Sequence, residues 1–259
     1  MIKSLKNFKK YKYLLYELVK KNIKLKYRRS YLGILWTLIE PLLTMLVLSL
    51  VFGVFFAKGD KQYPVYILTG RLLYSFFSTG TKGALKSVSS NASMIKKVYV
   101  PKYMYVLSSI ISNFIIFLIS LLVLVAVAAV LQVKPTIYLI EAIVPLIILF
   151  IITSGAGLLL ATLEVFFRDM DYIWGVVTML IMYASAIFYQ TERLFKTGHG
   201  WVFNINPIYM CIANFRNTVL YGRGLDIKYT VCSLAFGLVI TAIGVFVFYK
   251  KQDKFILYL

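Results

Sequence analysis

The feature that most limits what this chain can fold into is a succession of long stretches almost free of charge. An α-helix rises about 1.5 Å per residue and the hydrocarbon layer of a bilayer is about 30 Å thick, so about twenty mostly apolar residues make one crossing. Six stretches reach that length: Ile34 to Ala57, Gln62 to Thr81, Tyr103 to Val133, Ile137 to Leu163, Tyr172 to Thr191 and Tyr229 to Tyr249. Charge interrupts them only at Glu40, Arg71 and Glu141. The runs are too long and continuous for barrel strands, and backbone groups in lipid must be satisfied within the segment, so helices are expected. The predicted fold class is an all-α membrane protein with six transmembrane helices. A hydrophobic share of 60% and a mean hydropathy of +0.79 argue against a soluble enzyme.

Basic residues set the orientation. Of 29 Lys and Arg, eleven fall in the first 31 residues, five lie between the second and third stretches (Lys82, Lys86, Lys96, Lys97, Lys102), and Arg168, Lys250, Lys251 and Lys254 follow on the same side. Eight lie on the other side, from Lys58 to Lys228. Positive residues stay inside, so both termini are expected in the cytoplasm. The first apolar run begins after more than thirty residues and reaches spanning length, so no cleavable signal peptide is expected. Connecting segments leave little room for a soluble domain. One membrane domain is expected over residues 1–259, with an arm at 1–31, six spans within 34–249 and a cytoplasmic tail at 250–259. One His (His199) and two Cys (Cys211, Cys232) are too few for a zinc site or a disulfide framework, and no metal site is expected.

The arm predicts an amphipathic interfacial helix. Tyr11, Leu14, Leu15, Leu18, Asn22 and Leu25 share one side of a helical wheel, and Lys9, Lys10, Lys20, Lys21, Lys24 and Arg28 crowd the other. The apolar stripe would lie at the acyl boundary, with the ammonium groups toward lipid phosphates. Anchoring is the plainer role. A sharper one makes Lys24, Arg28 and Arg29 receivers for the anionic head of a lipid-linked substrate, because clustered cationic donors suit a diphosphate. The two are not separable in sequence. In the link between the second and third stretches, Ser90 to Lys97 predicts a short helix capped by Ser90 or Asn91 and stopped by Pro101. It would be a membrane-surface turn or a contact for a cytoplasmic partner. Gly80 to Ser87 has the Gly, Lys and Ser of a phosphate-binding loop, but Leu85 stands where the second Gly belongs and no strand precedes it. ATP chemistry, if used, belongs to another chain.

Arg28 to Leu42 (RRSYLGILWTLIEPL) resembles the start of the first span in permeases of type 2 ABC exporters for polysaccharides, the Wzm/TarG/KpsM-like subunits of O-antigen, teichoic acid and capsule exporters. Asn91 to Pro101, Val165 to Asp169, and Asn206-Pro207 followed by Phe215-Arg216 resemble further parts of the same family in the same order. The resemblance implies a homodimer of six-span subunits docked on two copies of a nucleotide-binding ATPase, which binds ATP and Mg, with no cofactor on this chain. The other partners it implies are a lipid-linked polysaccharide and membrane lipids, with no nucleic acid. Carried over, Ser90, Asn91, Met94, Ile95, Lys96, Lys97 and Tyr99 would belong to the coupling helix, and short re-entrant helices would precede the last span. Many relatives carry Pro where this chain reads Ser185 to Tyr189, which leaves the first re-entrant element open. Glu40 before Pro41 leans toward the capsule pattern.

Arg71 falls near the middle of the second stretch, where a lipid-facing cation costs about 2.5 to 3.5 kcal/mol, so it should face protein or water. It is either paired with Glu40 or Glu141 or exposed to a channel. Tyr74, Phe77 and Tyr183 lie mid-stretch, where an aromatic belt does not explain them; they either line a path for sugars or pack. Ser154-Gly155-Ala156-Gly157 predicts close helix approach. Asn206 can cap a helix begun by Pro207 and running to Tyr221, too short to span. An exporter of drugs or small lipids remains an alternative, and so does a membrane-embedded glycosyltransferase or lipid phosphatase, for which Asp169 and Asp171 are the close acidic pair.

Overall fold

A computed structural model describes residues 11–28, 30–57, 59–97, 100–191 and 200–258. Among these the fold is all helical, without strands. The helices are α1 (Lys12–Lys26), α2 (Trp36–Phe56), α3 (Tyr63–Ser87), α4 (Ala92–Lys97), α5 (Tyr103–Val130), α6 (Ile143–Phe166), α7 (Met170–Ala184), α8 (Trp201–Ile205), α9 (Pro207–Val219), α10 (Ile227–Lys251) and α11 (Phe255–Tyr258). Short 3-10 turns precede α2, α4, α6 and α11.

Four helical stretches are long and apolar enough to cross a membrane: Gly33–Phe56, Tyr103–Val130, Ile137–Phe166 and Ile227–Tyr258. The other two expected spans differ. α3 runs six residues beyond Thr81 and carries Arg71, Lys82 and Lys86, yet most of its surface is buried in the centre of the molecule. The run from Tyr172 to Thr191 does not stay helical. α7 ends at Ala184 after 15 residues, because Ala186 takes a left-handed φ of 47° and the chain unwinds there.

Small side chains set the helix spacing. A Cβ on Gly155 would meet the backbone nitrogen of Thr241 at 2.5 Å, and one on Gly244 would meet the carbonyl of Gly155, so α6 and α10 touch main chain to main chain. Gly157 sits against Ala84 and Ile110, and Gly80 against Thr153. This is the close approach expected of the Gly155 motif. Buried hydroxyls fold back on their own helices: Thr81 donates to Phe77 O, Thr153 to Leu149 O and Thr162 to Leu158 O.

α2 is loosely seated. Only Thr37 and Met45 are buried on it, while Leu43, Leu46, Val47, Leu50 and Val54 are exposed. Pro41 lacks an N–H, so the carbonyl of Thr37 loses its helical donor, and Ser120 Oγ of α5 supplies the replacement at 3.0 Å.

The arm forms its helix, and part of its apolar stripe packs on protein. Leu15, Leu18 and Val19 of α1 are buried against α5 rather than laid at an acyl boundary, and Asn22 Nδ2 donates to Ser108 Oγ at 3.4 Å. The apolar stripe finds a protein surface, while Leu25 at its far end stays exposed. Lys9, Lys10 and Arg29 lie outside the described residues.

Candidate functional site

α3 has two unlike sides. Its packed side is apolar. Its open side reads Arg71, Ser75, Ser78, Thr79, Lys82 and Lys86, at three- and four-residue spacing, and none of these six is buried. The stripe borders a narrow polar cleft, about 80 Å³, that Arg71, Ser75 and Thr79 share with Lys26, Glu40 and Asn113. Neither expected ion pair of Arg71 forms. Glu141 Oε2 accepts instead from Leu225 N at 3.0 Å, and the Arg71 guanidinium has Met182 Sδ at 3.9 Å and the Tyr74 ring at 6.0 Å. The cation thus stands in a partly open, polar environment at the middle of a central helix, with Glu40 across the cleft.

Of the two roles left open for Tyr74 and Phe77, the structure favours packing. Both are buried, on the side of α3 that faces α7: Tyr74 Oη donates to Thr178 O at 2.8 Å, and Phe77 meets the Trp174 ring edge-on at 6.1 Å. Both pack against α7, Phe77 on the side of α3 away from the polar stripe and Tyr74 on the flank of that stripe, beside Arg71. Tyr183 is exposed, on the outer face of α7 with Ile173, Val176, Met179 and Leu180.

Sequence reasoning missed Arg216, which it counted among external charges. Arg216 is 3% exposed. Its Nη1 donates to Ala186 O at 2.9 Å, Nη2 to Tyr66 O at 3.0 Å and Ile187 O at 3.3 Å, and Nε to Thr69 Oγ1 at 3.4 Å. The guanidinium also lies 3.5 Å from the centre of the Tyr66 ring. Two tyrosines of α3 complete the cage: Tyr63 Oη donates to Phe188 O at 2.6 Å, and Tyr66 Oη is bonded to Tyr189 O at 2.7 Å and Ala186 O at 3.1 Å. The unwound segment after α7 is thereby held by side chains that donate to the carbonyls it cannot satisfy as a helix. Gly70 makes room, since a Cβ there would come within 2.5 Å of Arg216 Nη2. α9 is positioned as expected, with Asn206 Oδ1 accepting from Ile208 N at 3.0 Å and Tyr209 N at 3.4 Å, although the helix ends at Val219, short of Tyr221.

The link forms a 3-10 turn over Ser89–Asn91 and then the six residues of α4. Neither Ser90 nor Asn91 caps it. Asn91 Nδ2 donates back to Ser87 O at 2.8 Å, and its Oδ1 accepts from Lys21 Nζ of the arm at 3.2 Å, because the arm lies alongside. Ile95 is buried, Met94 half-buried, and Ser90, Lys96 and Lys97 are exposed. Tyr99 lies outside the described residues. On the arm, Lys24 and Arg28 line an open basic groove with Lys20 and Lys21. The Gly80 to Ser87 segment is regular helix inside α3, with both glycines against neighbouring helices, so its backbone cannot cradle a phosphate. Among the described residues, no group of three His, Cys, Asp or Glu could hold a metal ion.

The family model of the ABC-2 type transporter matches residues 13–220, from the arm through α9. The chain belongs to the ABC-2 type transporter family. ABC-2 members named O-antigen export system permease protein RfbA are similar to it over nearly its whole length. One from Klebsiella pneumoniae is 28% identical over 244 residues, 93% of each chain, and one from Myxococcus xanthus is 25% identical over 256 residues, 98% of each. The capsule polysaccharide export inner-membrane protein CtrC of Neisseria meningitidis serogroup B is 26% identical over 189 residues, 68% of each. As an ABC-2 chain, the protein is a transporter permease, which sets the enzymatic readings of the Asp169 and Asp171 pair aside.

Proposed function

We propose that this chain is the membrane permease of an exporter for a lipid-linked polysaccharide of the O-antigen, capsule or teichoic acid type, working as two copies on two copies of a separate ATPase that binds ATP and Mg. The observation that carries the reading is similarity along almost the entire chain to permeases named for O-antigen export, together with a similarity to a capsule export protein. The geometry supports it. A conduit for a hydroxyl-rich chain needs a polar face inside a membrane bundle, and the stripe from Arg71 to Lys86 is one. In this reading the stripe and the exposed Tyr183 face the path between two subunits, and the bare sides of α2 and α7 meet lipid or the second copy.

In the same reading the chain is a single membrane domain that crosses six times, with α3 as the second crossing and α7 with the caged turn and α9 as a fifth crossing that ends in short re-entrant elements. Both termini lie in the cytoplasm of a bacterial inner or plasma membrane. Lys24, Arg28 and Arg29 receive the anionic head of the lipid carrier, and the first two line the basic groove of α1. Ser90 to Tyr99 forms the coupling segment, and exposed Lys96 and Lys97 with half-buried Met94 meet the ATPase. ATP-driven closure of the ATPase pair then moves the link and, through it, the bundle.

The test is depletion of the chain in cells combined with capture of the complex. Glycan should accumulate on the cytoplasmic side, and the purified permease should bring down an ATPase. Charge reversal at Lys96 and Lys97 with Met94→Asp should abolish that capture. Unchanged capture would refute the docking assignment, and drug or small-lipid export without glycan accumulation would refute the substrate class.

A further inference from the structure

The coupling link is held at both ends, by different parts of the chain. Where it begins, Ser89 Oγ donates to Glu164 Oε1 at 3.0 Å at the close of α6, and Lys21 of α1 holds Asn91. Where it ends, Lys102 turns back onto the tail: its Nζ donates to the Gln252 carbonyl at 2.5 Å and lies 5.7 Å from the centre of the Phe255 ring. Burial there pushes the Lys102 ammonium below its ordinary value, with Asp253 opposing the shift. Phe255 is wholly buried, edge-on to Phe248 at 5.3 Å and Phe166 at 6.0 Å. Tyr258 packs on Phe166 at 4.8 Å and, with Ser89, Ala92 and Glu164, lines an open cavity of about 470 Å³ beside α4.

A solvated tail would leave Phe255 in water or at the lipid surface. Here the ring is spent on the point where the link joins α5, and residues 252–258 reach the cavity beside α4 as well. A helix of six residues is far too short to hold its shape alone, so a link that transmits force must take its rigidity from its anchors. We propose that residues 252–258 are a latch that positions the coupling link for the ATPase, with Lys102 and Phe255 as its positioning residues. This rests on the permease and ATPase reading above. Opening the latch frees one end of the link while Glu164 and Lys21 keep the other. α4 then samples more orientations, and docking must additionally order it.

The experiment uses the full chain in vesicles containing anionic lipid, titrated with the ATPase that co-purifies with the wild-type protein. Phe255→Ala and Lys102→Met should each weaken ATPase binding about tenfold or more, Lys102→Met with a thermal melting midpoint near that of wild type and Phe255→Ala with a lower one, and Phe255→Leu should restore binding to within about threefold. Tyr258→Ala, at a position 53% exposed, should weaken binding less and leave folding intact. If Phe255→Ala does not fold, Lys102→Met and Tyr258→Ala decide the question. Wild-type affinity in folded Lys102→Met and Phe255→Ala would overturn the latch and leave the permease reading standing. Failure of the wild-type chain to bind any ATPase would overturn both.

Discussion

Replacing Arg216 with Met tests whether the guanidinium cage holds the unwound segment after α7. Arg216 makes four hydrogen bonds, but its loss does not orphan four groups. Ala186 O keeps a share of the single Tyr66 hydroxyl proton, which also serves Tyr189 O, and Tyr66 O keeps the hydroxyl of Thr69 at 2.8 Å. Ile187 O loses its guanidinium donor, at a cost of about 1 to 3 kcal/mol for an unsatisfied buried group. The charge-assisted bond to Ala186 O and the contact with the Tyr66 ring add about 1.5 to 3 kcal/mol and 1 to 2 kcal/mol. Relief from burying a cation that has no ion pair among the described residues offsets part of this, and the net expected loss is about 2 to 4 kcal/mol. Lysine should not rescue, because one ammonium cannot span the carbonyls that a planar fork reaches.

The chain carries a natural reporter. Cys211, on the same helix as Arg216, is 1% exposed, whereas Cys232 is exposed and serves as the internal reference. If the cage sets the local opening equilibrium, maleimide labelling of Cys211 in Arg216→Met should speed up about 30- to 1,000-fold, the factor corresponding to about 2 to 4 kcal/mol, while Cys232 labelling is unchanged. A Cys211 rate within threefold of wild type would show that the segment is held by packing alone.

Gly155→Leu should block the α6 to α10 contact, where even a Cβ meets the Thr241 main chain at 2.5 Å, and lower stability by about 1 to 3 kcal/mol or more in a thermal melt; Gly175→Ala, with open space around it, should not. Arg71→Leu should cut export in vesicles while ATPase binding stays at the wild-type level, because the side chain borders the polar cleft and makes no ion pair among the described residues. Tyr74→Phe removes one buried hydrogen bond and should cost about 0.5 to 1.5 kcal/mol of stability with export per folded molecule unchanged, which distinguishes packing from channel lining. Ser120→Ala should leave the Thr37 carbonyl above Pro41 without a donor and loosen α2 by about 1 to 3 kcal/mol, read as faster hydrogen exchange confined to that helix.

What was legible in the sequence follows from how locally each feature is encoded. The Asn206-Pro207 cap needs only neighbouring residues, and the structure forms it. The long apolar runs at α2, α5, α6 and α10 stand on composition alone. The end of α7 was not legible, since Ser185 to Tyr189 is as apolar as the helix before it, and what unwinds it is a set of donors more than 100 positions earlier at Tyr63 and Tyr66 and some 30 later at Arg216. Arg216 was therefore read as a surface charge. Tyr74 and Phe77 illustrate the companion problem: mid-span position said that they avoid the interface, but not which side of α3 they occupy. A signal was available for Phe77, which falls about half a turn from the stripe of Arg71, Ser75, Ser78, Thr79 and Lys82, but not for Tyr74, which flanks it.

Where α6 and α10 touch through bare main chain at Gly155 and Gly244, there is no intervening layer of rotamers to slip against one another. Two rods joined in that way travel as a single stiff plate. Any rocking of the bundle would then carry α6 and α10 together, and the bending would fall on the thinly fastened α2 and the half-length α7.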